Sequence, residues 1–126
     1  IMSIYSKLVE VTTQGVAGSA SGAARVGVGP SRFVGVQLEY DQTAPTTTDV
    51  MIVTGRILDR TLFTRSNSRV DAFFYPRVNV HQTDADQVPA GDNAYEPQLV
   101  SGQVEVRVQQ CDAITNVLKA RLFFEA

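Results

Sequence analysis

The chain has no tryptophan, one cysteine (Cys111), one histidine (His81) and two lysines (Lys7 and Lys119) among its 126 residues. Each shortage removes something. A lone cysteine cannot close an internal disulfide, and one Cys with one His cannot complete a structural zinc site. Without tryptophan, the exposed aromatic platform expected of a carbohydrate-binding face is thin. With lysine so scarce, nearly all the positive charge is arginine, which suits planar hydrogen bonding at protein contacts. The net charge is −2 and no run of Lys and Arg could neutralise several phosphates at once, so no nucleic-acid partner is expected. No apolar run approaches the ~20 residues of a membrane-spanning helix, and no membrane partner is expected. Lys7 has no apolar segment behind it, so no signal peptide is expected.

What is present reads as one lightly charged globular domain, residues 1–126, with 44% apolar and 19% charged residues. A chain this long buries roughly two thirds of its unfolded surface and can build a core without disulfides. Apolar residues recur with a period of two, the signature of half-buried strands. In "GQVEVRVQQ", Val104, Val106 and Val108 share one face while Glu105, Arg107 and Gln109 share the other. "FVGVQLEYD" sets Val34, Val36, Leu38 and Tyr40 against Gly35, Gln37 and Glu39, and "VLKARLFFEA" sets Leu118, Ala120, Leu122 and Phe124 against Lys119, Arg121 and Glu125. Phe123 is the exception, an aromatic on an otherwise polar face. Less regular strands are expected at Ser3–Thr12, Ala24–Val28, Asp49–Gly55 and Arg56–Thr64. Within them "VMIV" (50–53) is apolar on both parities, as for a strand covered on both sides. No window carries a convincing helical period. The fold class is all-β, an antiparallel β-sandwich of jelly-roll or Greek-key type.

Between the strands, "GVAGSASGAA" (Gly15 to Ala24) reads as a mobile loop or a segment ordered by a partner. "GVGP" (Gly27 to Pro30) reads as a turn, and lacks the Lys and spacing of a phosphate-cradling loop. "TAPTTT" (Thr43 to Thr48) is a polar loop, and "RSNSR" (Arg65 to Arg69) a tight connection. The longest gap runs from Thr83 to Leu99. Loops of that length inside a compact domain usually carry function or lack order.

The stretch "DAFFYPRVNVHQ" (Asp71 to Gln82) holds most of the chain's chemistry-bearing side chains. Ala72, Phe74, Pro76, Val78 and Val80 share the parity expected to face the core. Asp71, Phe73, Tyr75, Arg77, Asn79 and His81 share the outer one. Pro76 cannot donate to a ladder, so two short strands meeting at a corner are expected. A nucleophilic site needs nucleophile, base and orienting carboxylate together, yet Tyr75 and His81 lie roughly 20 Å apart along an extended chain. A row of aromatic and arginine residues instead has the composition of a protein contact. No catalytic, cofactor or metal residue is expected. Asp84, Asp86, Asp92 and Glu96 begin like a calcium loop, but Val88 replaces the third ligand and Ala90 has no oxygen side chain, so a solvated acidic loop is expected. Cys111 lacks a motif-paired His and reads as a structural thiol.

"FFYPRVNVHQT", a variable acidic loop, then "LVSGQVEVRVQQC…NVLKARLFFEA" together resemble small tailed-bacteriophage virion proteins of the head-decoration, or cement, type. The likeness covers Arg56 to Ala126. It departs where that family tends to hold Gly and Trp and this chain has Ala72, Phe73 and Phe74. The resemblance implies a jelly-roll-like sandwich without enzyme activity or cofactor, assembled in the host cytoplasm and located on the capsid surface of the virion. Its implied partners are the major capsid protein and further copies of itself, as a dimer or trimer. The expected contact residues are Phe73, Tyr75, Arg77, His81, Asp84, Asp86, Asp92, Tyr95 and Phe123, with Gly15–Ala24 and Thr83–Leu99 as candidate contact loops. Alternatives are a tail or collar virion component, or a carbohydrate- or ligand-binding β-sandwich module.

Overall fold

Residues 20–40 form one continuous strand that changes neighbours halfway, and the architecture follows from it. A computed structural model describes residues 3–55, 60–79 and 95–126. Its strands, in chain order, are β1 (Ile4–Val11), β2 (Ala20–Tyr40), β3 (Asp49–Thr54), β4 (Arg60–Arg65), β5 (Ala72–Phe74), β6 (Val78–Asn79), β7 (Tyr95–Glu96), β8 (Gln98–Cys111) and β9 (Leu118–Glu125). There is no helix among the described residues. The first arm of β2 pairs with β8, from Ala20 opposite Cys111 to Phe33 opposite Gln98. Its second arm pairs with β9, from Arg32 opposite Glu125 to Tyr40 opposite Leu118.

Cys111 and Leu118 are joined by a short connection, so both ends of β2 must come to the same end of the molecule. β2 therefore folds over near its middle. Two antiparallel layers result, β1-β9-β2-β5 and β2-β8-β3-β4, with β6 and β7 as a separate two-stranded ladder. This is the pairing order of an eight-strand jelly roll whose second and third strands are the two arms of β2. The chain is an all-β antiparallel sandwich, as its alternation predicts.

The fold-over has a local cause. Val28–Ser31 on β2 faces only Gly102–Val100 on β8, and Phe33–Gly35 faces only Phe124–Phe123 on β9. Each is a β-bulge, one extra residue that bends the strand and swaps which parity faces inward. Ala20 and Val28 are buried in the first arm, Ser31 and Phe33 between the bulges, and Val36, Leu38 and Tyr40 in the second arm. Pro30, with no N–H to donate, sits in the first bulge, where a ladder bond is already missing. Ser31 Oγ donates to Gly29 O (2.9 Å) and accepts from the Tyr5 hydroxyl (3.1 Å), which ties the bend to β1.

The core lies between the layers: Val104, Val106 and Val108 of β8 face Leu118, Ala120, Leu122 and Phe124 of β9 together with Phe33, Leu38 and Ile52. Phe124 stacks on Tyr5 (centroids 5.3 Å apart) and contacts Phe33 at 5.8 Å. Cys111 is fully buried and its Sγ accepts from Thr48 Oγ1. The Thr43–Thr48 loop is thus anchored at its base.

Several expectations are corrected. "GVGP" is no turn; it is the bulged middle of β2, because the strand continues on both sides of it. Gly15–Ala24 is only half loop. Ala20 to Ala24 belong to β2, and the turn before them is fastened by Gly18 N donating to Asp112 Oδ1 and by the Gln14–Ser21 bridge. In "VMIV", Val50 and Ile52 are buried on one parity and Val53 on the other, while Met51 is exposed, so cover on both sides holds at Val53 and not at Met51. Val34 joins the outer face because the bulge gives its inward place to Phe33. Val78, expected in the core, is exposed on the β6–β7 ladder. The segment to Leu99 is not all loop either: Tyr95–Glu96 and Gln98–Leu99 are strand, and buried Gln98 donates Nε2 to Leu62 O. The strand expected at Arg56–Thr64 runs from Arg60 to Arg65, its first four residues being outside the described ones.

Candidate protein-contact site

The break at Pro76 falls where the missing donor requires it, between β5 and β6. β5 is held against the second arm of β2, with Phe73 opposite Gln37 and Phe74 opposite Val36. Alternation then divides its two phenylalanines. Phe74 turns inward onto Phe63 (centroids 5.1 Å) under the Arg65 guanidinium (5.0 Å from the ring centroid). Phe73 turns outward. On the next strands of the same layer Gly35 stands opposite Phe123, which is the odd aromatic of β9.

These outward positions converge. Phe73 lies 4.8 Å from Tyr75 and 5.5 Å from Phe123 between ring centroids, in tilted geometry. Tilted pairs of this kind are the favoured arrangement of aromatic quadrupoles. Arg77 covers Tyr75 at 6.0 Å and donates Nη1 to the carbonyls of Val34 (3.0 Å) and Pro76 (2.8 Å), which pins the corner to β2. Together with Ile4, Val34, Gly35, Pro97 and Glu125 these side chains line a shallow open depression of about 370 Å³. Tyr75 is 69% exposed, Ile4 65% and Phe73 42%. A cluster of large apolar groups this exposed exceeds the scattered surface hydrophobes that need no explanation.

The same sheet face changes character a few residues away. Gln37 pairs with Arg121 and Glu39 with Lys119, while on β1 Leu8 pairs with Arg121 and Glu10 with Lys119. Opposite charges thus meet across strands beside the aromatic end. An apolar, aromatic centre bordered by a charged margin is the anatomy of a protein interface.

Of the expected contact residues, Phe73, Tyr75, Arg77 and Phe123 are brought together. Tyr95 is exposed on β7, opposite Asn79, and does not line the depression. His81, Asp84, Asp86 and Asp92 lie outside the described residues. Sequence reasoning missed Ile4, Val34, Gly35, Pro97 and Glu125. Gly35 carried a legible signal, since a glycine inside a strand marks a bulge or a close approach. Both hold: a Cβ on Gly35 would come within 3.0 Å of the Phe73 ring.

The opposite layer presents a different surface. Glu105 on β8 receives Arg25 Nε on one carboxylate oxygen and Arg107 Nε on the other. These two guanidiniums hold the Glu105 carboxyl below its ordinary range, Arg25 contributing most. At the base of the sandwich burial raises the Tyr40 phenol pKa, opposed by the nearby Arg65 cation. The Asp41 carboxylate accepts from the Thr43 hydroxyl and amide, which lowers its pKa. No group of three or more His, Cys, Asp or Glu side chains is placed to hold a metal ion among the described residues.

The layers define a jelly-roll sandwich with an exposed aromatic patch at one end of the β1-β9-β2-β5 face. No family model matches the chain, and no curated protein matches it significantly.

Proposed function

We propose that this protein is a virion structural protein, a decoration or cement protein that binds the outside of a tailed-phage head through the aromatic end of the β1-β9-β2-β5 face. The observation that carries the reading is the exposed Phe73–Tyr75–Phe123 cluster with Arg77, two of its rings on strands β5 and β9 and the rest on the corner that Arg77 ties to β2. Aromatics and arginine dominate interface hot spots because they bury large area with few rotamers to fix. Pairing of β5 and β9 with β2, and the hydrogen bond from Arg77 to the Val34 carbonyl, hold the cluster in one arrangement, which binding to a repetitive lattice demands. On such a lattice several weak contacts act together, and avidity exceeds each one by orders of magnitude. The partner in this reading is the major capsid protein, and the resemblance of "YPRVNVH" and the strands after it supports that choice.

The test is co-sedimentation of the purified protein with DNA-filled and empty heads of the phage whose genome carries it. Saturable binding at a fixed ratio to the major shell protein is expected. Binding to neither particle overturns the head assignment in favour of a tail or collar component.

A further inference from the structure

The sandwich has four edges among its described strands, and three are defended against further pairing. β1 carries Lys7 and Glu10 on its flank, β4 carries Arg60 and Arg65 and a bulge against β3, and β5 is only three residues long. Short strands, charges and bulges are the usual means of blunting an edge. The fourth edge, the first arm of β2, is different. β8 pairs with one side of residues 22–31, and no described strand pairs with the other side before Arg32 meets β9.

Among the described residues that side is closed only at its ends. Near Gly22 the Thr12 carbonyl packs so tightly that a Cβ could not be accommodated, and at Ser31 the Tyr5 hydroxyl bonds across from β1. Between them Ala23, Arg25, Gly27 and Gly29 are exposed, and among the described residues no other group comes within 4 Å of a Cβ position on Gly29. On the inward parity Ala24 and Val26 are half-buried against the core, their outer flank uncovered. Backbone donors and acceptors that no described strand pairs with call for an extended strand.

We infer that two copies of this protein pair edge to edge through residues 23–29 of β2, antiparallel about a two-fold axis at Val26. The sequence of the edge is what selects a second copy. In that register Val26 meets Val26 of the partner subunit, and Ala24 meets Val28 of the partner subunit, so the half-buried Ala24 and Val26 of each copy are covered by apolar residues of the other. Arg25 then stands opposite Gly27 of the partner subunit, never directly opposite another arginine, and each Arg25 keeps its own Glu105. Eight residues, 23–30, lie between the Gly22 and Ser31 closures; Pro30 has no N–H to donate to a ladder, which leaves 23–29, a window centred on Val26. Self-complementary pairing of one patch is what a two-fold dimer requires. The product is a sheet continuous across both copies, with the aromatic faces of the other layers left free. The inference is independent of the head-binding proposal.

Charge placed at Gly27 tests it, because Gly27 has ordinary backbone geometry and room for a side chain, with Gly102 O the nearest atom at 3.8 Å. Sedimentation equilibrium would be measured on the wild type, Gly27→Glu and Gly27→Arg, each first shown to be folded by its thermal melt. The wild type is expected to dimerise. Gly27→Glu, set against Arg25 of the partner subunit, should tighten the dimer and Gly27→Arg should loosen it, each by about twofold to thirtyfold for two symmetric cross-strand pairs. Oxidation of Val26→Cys should add a covalent dimer, since the only native thiol is buried. A wild type that stays monomeric at the highest concentrations, or a dimer that responds to neither charge, overturns the inference.

Discussion

The tip of the Phe73 ring packs against Gly35: a Cβ on Gly35 would sit 3.0 Å from Phe73 Cζ and 3.2 Å from Cε1. The glycine gives the ring a floor, and the bulge beside it turns Val34 outward to form part of the wall. Gly35→Ala should therefore push Phe73 away from Phe123 and Tyr75. Because the ring is half-exposed and can yield, the cost in stability should be low for an overpacking change, about 1 kcal/mol. Urea unfolding would measure it, and a loss of several kcal/mol would mean that Phe73 is held more firmly than its exposure implies.

The two aromatics of β9 should separate stability from binding. Phe124 is fully buried between Tyr5 and Phe33, and Phe124→Ala should cost about 3–5 kcal/mol. Phe123→Ala, one residue earlier on the outer face, should cost about 1 kcal/mol or less, as is usual for partly exposed positions. Chemical denaturation of both variants checks the contrast, and equal losses would contradict the assigned register.

Glu105 should make a small pH-dependent contribution. Its carboxyl is held below the ordinary range by Arg25 and Arg107, so the stabilisation is present above the unfolded-state value near ~4 and is lost as pH falls through the lower folded-state value. Arg25 is solvent-exposed, so the effect should lie within the ~0.2–1 kcal/mol of screened surface pairs and shrink in high salt. Glu105→Gln should be the less stable protein at pH 7, with the gap closing below pH ~4. A gap that widens in acid would reverse the sign and refute the assignment.

Cys111 should be inert in the native protein. It is fully buried, with Thr48 Oγ1 donating to its sulfur. Thiol reagents should label it at the rate of unfolding and immediately in denaturant. Rapid labelling of the folded protein would show that the base of the Thr43–Thr48 loop opens.

The alternation in β8 and β9 made the core legible. Val104, Val106, Val108, Leu118, Ala120, Leu122 and Phe124 are all buried, and Phe123 stands out on the outer face as its parity requires. The corner at Pro76 was legible for a single reason, the missing N–H. The fold of β2 was not. Periodicity of two assumes an unbroken ladder, and two bulges within seven residues reset the parity twice, so Gly27–Pro30 looked like a turn between separate strands. The same bulges hid half of the contact face. Val34 and Gly35 become neighbours of Phe73 only through pairing with strands distant in sequence, which no local pattern encodes.

The central claim is that the aromatic face is what docks. The most direct measurement is head co-sedimentation of the wild type beside the double variant Phe73→Ser, Tyr75→Ser, with both melts recorded first. Both side chains are exposed, so the variant should remain folded. Saturable binding by the wild type and at least a tenfold loss by the folded variant is the predicted result. Undiminished binding by the variant would contradict the account and move the contact to another surface of the sandwich.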